Sequence, residues 1–76
     1  MKPARSAREA FAANLRQARL AKGWSQMTLA DAAGLHFTYV SSVECAKRNV
    51  SIDAMERLAV ALGLPLSRLL LDLKET

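Results

Sequence analysis

Apolar and polar positions in this 76-residue chain fall into five short runs, set apart by glycines and by serines at helix starts. In the first run, Ala7, Ala10, Phe11, Asn14, Leu15, Ala18 and Leu20 follow mostly helical spacing, with Phe11, Leu15 and Ala18 as the buried stripe. Ser6 with Glu9 three residues on is a capping box, which starts this helix, and Gly23 stops it. Ser25 follows Trp24 as an N-cap for a second run, Gln26 to Ala33. Gly34 marks a reversal, because a residue without Cβ enters the left-handed region at no steric cost. A third helix is expected over His36 to Cys45. Ser51 caps a fourth, in which Ile52, Met55, Leu58, Ala59 and Leu62 keep the core period and Gly63 ends it. Asp53 and Glu56 are placed in its first turn, where they suit the helix dipole. Pro65 opens a fifth helix, at about 65–74. The expectation is an all-α fold: one compact five-helix bundle over 1–76, with a short flexible tail at 1–5.

The second and third runs carry the pattern of two short helices crossing steeply. Leu29 and Ala33 form the inner face of one, Val40 and Val43 line the other, and Leu35 plugs the corner. Ala30 is small where the second helix must approach closely. The outer face of the third helix holds Phe37, Thr38, Tyr39, Ser41 and Ser42, none of them charged. Hydroxyls so placed donate and accept hydrogen bonds, as a face reading base edges in a major groove requires.

These residues, Ala30, Gly34 and the buried Leu29, Leu35, Val40 and Val43, resemble the helix-turn-helix of the phage-repressor (xenobiotic-response-element) family. The resemblance extends from about Phe11 to Leu70, and the continuation TYVSSVE then KRNVS is most similar to the controller proteins of bacterial restriction–modification systems. It implies that Gln26, in the first turn of the second helix, approaches the DNA backbone, where otherwise it is a surface helix residue. Ser25 belongs to the same candidate contact set. Arg19 and Glu44 fall where the family carries an ion pair tying the first helix to the end of the third. Cys45 stands where relatives often have a large basic residue, a departure from the pattern. The resemblance further implies binding to paired sites upstream of the protein's own gene and a nuclease gene, with activation at low occupancy and repression at high. Whether RNA polymerase is a further partner stays open at the level of sequence.

Charge agrees in its distribution. The net charge is +4 and the pI near 9.9, but residues 1–52 carry +5 and residues 53–76 carry −1. The basic part contains the helix pair, as suits a polyanion. Lys47, Arg48 and Asn49 form a polar loop after the third helix, placed for phosphates or simply solvated. His36 either caps the third helix or meets a phosphate; without a ligand partner at suitable spacing it makes no metal site. Phe37 touches a thymine methyl or covers the helix turn, and Tyr39 reaches the DNA or bridges helices from a half-buried position. Lys2 and Arg5 make the tail either a basic arm or a solvated terminus. A lone cysteine fits a reducing cytoplasm, with redox sensing by Cys45 the minor reading. No cofactor is expected. No apolar run approaches 18 residues, so no membrane is expected either, and the site of action is the bacterial cytoplasm and its nucleoid.

The fifth run is too rich in leucine for one buried stripe, since Leu66, Leu69, Leu70, Leu71 and Leu73 crowd a short helix. Leu69, Leu70, Leu71 and Leu73 are therefore the expected homodimer interface, and a two-fold symmetric DNA operator is the expected target. An enzyme is excluded by inventory: one histidine, one cysteine, no paired carboxylates in a plausible cleft and no glycine-rich phosphate loop. An antitoxin of a toxin pair and a small phage-type repressor remain alternatives, because one fold serves all these roles. An antitoxin usually needs further chain to neutralise its toxin, whereas this sequence stops after the fifth run.

Overall fold

Ser6 caps the first helix as the sequence requires: its hydroxyl accepts from Glu9 N, and the Glu9 carboxylate accepts from Ser6 N at 3.0 Å. The computed structural model describes residues 6–71. The helices are α1 (Ala7–Ala21), α2 (Gln26–Ala33), α3 (Phe37–Glu44), α4 (Ile52–Leu62) and α5 (Leu66–Leu70), with no strand among the described residues. Ser25 and Ser51 cap α2 and α4 by accepting from Thr28 N and Ala54 N. Gly34, at φ 70°, turns the chain after α2 in the left-handed conformation that a side chain would strain.

α2 packs against α3 and α4, and α1 packs against α3 and α5. Phe11, Leu15, Leu29, Val40, Val43, Leu58 and Leu69 meet in the core. Ala30 is buried at the α2–α3 crossing, and Leu35 packs half-buried at the corner. Seven large side chains drawn from all five helices thus hold α3 at a fixed attitude on the body of the domain.

Several expectations need correction. Ala18, expected in the buried stripe with Phe11 and Leu15, is only half-buried at the edge of the core. Ile52 is 67% exposed at the first position of α4, on the margin of the stripe that Leu58 and Leu62 centre, while Ala54 faces inward. Glu56 is the fifth residue of α4 and so lies past its first turn.

The fifth helix is shorter than expected. It ends at Leu70, and Leu71 is already extended. The side-chain amide of Asn14, buried on α1, donates to the carbonyls of both Leu69 and Leu71. Those carbonyls face the shortage of partners common to helix ends, and a side chain from another helix supplies them. Leu69 is buried in the chain's own core, so it is not available to a dimer interface. Leu73 and the tail at 1–5 lie outside the described residues.

Candidate nucleic-acid interface

The start of α2 and the whole of α3 are fixed relative to each other by one carboxylate. Glu44, the last residue of α3, accepts from Arg19 Nε at 2.7 Å, Arg19 Nη2 at 3.0 Å and Gln26 Nε2 at 3.0 Å. Arg19 also donates Nη1 to the Trp24 carbonyl at 2.8 Å. The guanidinium therefore joins α1, the turn before α2 and the end of α3, as expected of the Arg19–Glu44 pair. Hydrogen bonding to Glu44 holds the Arg19 pKa above its ordinary value, outweighing the opposing effect of burial, and the nearby negative charge adds to it. Gln26 is half-buried and oriented by this bond, with one amide hydrogen left for another acceptor. The Ser25 hydroxyl is committed within its own turn, to Thr28 N and the Thr28 hydroxyl, both at 3.0 Å.

The five residues expected on the outer face of α3 differ in exposure. Phe37 is 41% exposed and Thr38 is exposed, while Tyr39, Ser41 and Ser42 are half-buried. Ser42 Oγ donates to the Thr38 carbonyl at 2.9 Å, so its proton is used within the helix and its lone pairs remain to accept. Tyr39 leans on the core, with the Arg48 guanidinium 4.9 Å from its ring centroid. That contact fastens the loop after α3 to the outer side of α3. His36 occupies the N-cap position with extended backbone, but its side chain makes no capping hydrogen bond. The capping alternative for His36 is thereby removed.

Lys47, Arg48 and Asn49 are all exposed in the loop. Asn49 is tied back to α1, its side-chain oxygen accepting from Arg8 Nη2. Arg8 was not legible as a member of this surface, since the residues it joins are 41 positions apart. A second feature without a local signal is Ala46, which takes the left-handed conformation (φ 58°) although it is not glycine. This sharp turn sends the chain from α3 into the cationic loop. Among the described residues, no cluster of His, Cys, Asp and Glu could hold a metal ion, and no helix is long and apolar enough to cross a membrane.

The geometry is that of two helices joined by a glycine turn, the second presented outward and bordered by cations. The family described as Helix-turn-helix matches residues 15–69. The chain belongs to that family. Among helix-turn-helix relatives, a hypothetical transcription factor of Neisseria meningitidis serogroup B is 44% identical over 68 residues, covering 90% of this chain and 64% of the relative. The control protein C.BamHI of Bacillus amyloliquefaciens is 46% identical over 54 residues, 70% of this chain and 67% of the relative. The crystal structure of the restriction–modification controller protein C.AhdI from Aeromonas hydrophila aligns with a TM-score of 0.79 at 44% identity, over 82% of this chain and 94% of that one. The relatives are regulators rather than enzymes. This protein is a helix-turn-helix transcription regulator related to restriction–modification control proteins.

Proposed function

We propose that this helix-turn-helix protein controls a restriction–modification system by binding a two-fold symmetric site in double-stranded DNA. The supporting observation is the outer face of α3: an uncharged, hydrogen-bonding surface flanked by the oriented amide of Gln26 and by Lys47 and Arg48. Uncharged groups on such a helix discriminate base edges, while the flanking cations supply sequence-independent attraction to phosphates. Phe37, Thr38, Tyr39, Ser41 and Ser42 are assigned to the bases, and Ser25, Gln26, His36, Lys47, Arg48 and Asn49 to the backbone.

The protein acts as a homodimer. Leu70 and Leu71 are 41% and 49% exposed beside one another, and a second copy would cover them. Paired operators near its own gene and a nuclease gene would be activated at low occupancy and repressed at high, the activating state touching RNA polymerase. The site of action is the nucleoid in the bacterial cytoplasm. Selection of bound duplexes from a random DNA pool tests the reading. Enrichment of a two-fold symmetric sequence is expected; a pool that stays random after repeated rounds overturns it.

A further inference from the structure

We propose that Arg8 and Asn49 together form an additional phosphate-binding cradle, extending the DNA-contacting surface from the loop after α3 onto α1. The inference rests on the DNA-binding reading above and adds a residue to it. Arg8 Nη2 donates to Asn49 Oδ1, which settles the orientation of the Asn49 amide: the oxygen faces Arg8 and the NH2 group points elsewhere. An amide nitrogen could not accept from a guanidinium, so the reverse orientation would set donor against donor. The pair therefore keeps as unused donors the amide hydrogens of Asn49 and the remaining N–H groups of the Arg8 fork. That is the complement of a phosphodiester, whose unesterified oxygens only accept.

Charge points the same way. Arg8's partner is neutral, and among the described residues the salt bridge is that between Arg19 and Glu44, so no carboxylate of the described residues pairs with Arg8. Glu9 beside it is engaged with the Ser6 backbone. Position follows from the neighbours of two consecutive residues. Arg48 lies against Tyr39 of α3, and Asn49 lies against Arg8 of α1. The loop thus touches α3 through Arg48 and α1 through Asn49, which puts Arg8 next to the residue that follows Arg48.

The test measures binding of the full chain to a selected operator duplex and to a scrambled duplex, by fluorescence anisotropy over a salt series. Arg8→Ala should weaken both duplexes alike. It should also lower the log–log salt slope by about 0.9 for each phosphate no longer neutralised, hence about 1.8 for a two-fold dimer. Arg8→Lys, which keeps the charge, should retain most of the slope. Arg48→Ala is the control for the DNA surface as a whole, and thermal melts verify that each variant is folded. A parental slope in Arg8→Ala, with a reduced slope in Arg48→Ala, overturns the cradle and leaves the DNA reading standing. Weaker binding by Arg8→Ala at unchanged slope also overturns it, because Arg8 would then only position the loop. A parent that binds neither duplex removes both.

Discussion

Arg19 and Glu44 form a two-point ion pair inside the domain, with side chains only 9% and 2% exposed. It spans three elements that share no local sequence signal: α1, the turn at Trp24 and the end of α3. Burial makes its energetics asymmetric. The intact pair adds little net stability, because desolvation of two charges offsets their attraction. Loss of one partner leaves a buried charge unmatched.

Arg19→Met and Glu44→Leu should therefore each destabilise the domain by about 3–5 kcal/mol, with the double variant much less destabilised than the two singles combined. Urea melts of the four proteins check this. Additive losses would mean that the two residues act independently. In a domain of this size, with total stability on the order of 5–15 kcal/mol, either single change brings folding close to its limit.

The parts of this fold that were legible in the sequence are those decided within four residues. Ser6 with Glu9, Ser25 and Ser51 announce helix starts, and Gly34 and Gly63 announce helix ends, because capping and left-handed turns are local chemistry. The end of α5 was not legible, because Asn14 of α1 engages its final carbonyls. The leucine pattern alone carried the expected helix onward and put Leu69 in an interface, although the core takes it. In the candidate site, the uncharged face of α3 could be read from residue types, whereas the Glu44 bond to Gln26 and the Arg8 bond to Asn49 required tertiary structure.

Ala46 leads to a stability prediction of the opposite sign. Its φ of 58° places Cβ against the local backbone, a cost of about 1–2 kcal/mol that glycine avoids. Glycine gains extra freedom in the unfolded chain, which returns part of that advantage. Ala46→Gly should raise stability by about 1 kcal/mol or less, seen as a higher urea midpoint at unchanged slope. A lower midpoint would show that the turn is not strained.

Lys47 should behave as a phosphate-binding cation. Lys47→Ala is expected to weaken all duplexes about equally and to reduce the salt slope by about 1 for each phosphate involved. A loss confined to the selected operator would instead assign Lys47 to base recognition.

On α3, Thr38→Ala, Tyr39→Phe and Ser42→Ala should each alter preference at one operator position, by about 1–3 kcal/mol against the preferred base. Ser42 carries a more specific expectation. Its proton is held by the Thr38 carbonyl, so it can only accept, and should favour the amino group of adenine or cytosine. Repeating the DNA selection with each variant tests all three. Site logos identical to the parent's would deny these residues a reading role.

The dimer is the remaining prediction, narrowed by the corrected course of α5. Leu69 is withdrawn into the core, which leaves Leu70 on the last helical position and Leu71 on extended chain as the exposed apolar pair. Leu70 borders a groove with Phe11, Val50 and Met55 that also carries Arg8 and Asn49 on its rim. A partner's side chain would meet apolar surface on the Leu70 side, while the Arg8–Asn49 pair keeps the other side polar. Each leucine left in water forgoes up to about 1.5–3 kcal/mol of burial, a direct incentive for self-association. A two-fold pair could set its recognition helices about 34 Å apart, one turn of DNA, and operator affinity would then depend on protein concentration. Leu71→Glu should produce a folded monomer that binds a selected operator far more weakly, and Leu70→Glu should act likewise with some added loss of stability from its half-covered position. Sedimentation equilibrium decides the matter. A parent that is monomeric at tens of micromolar, or a Leu71→Glu variant that remains dimeric, would falsify this interface.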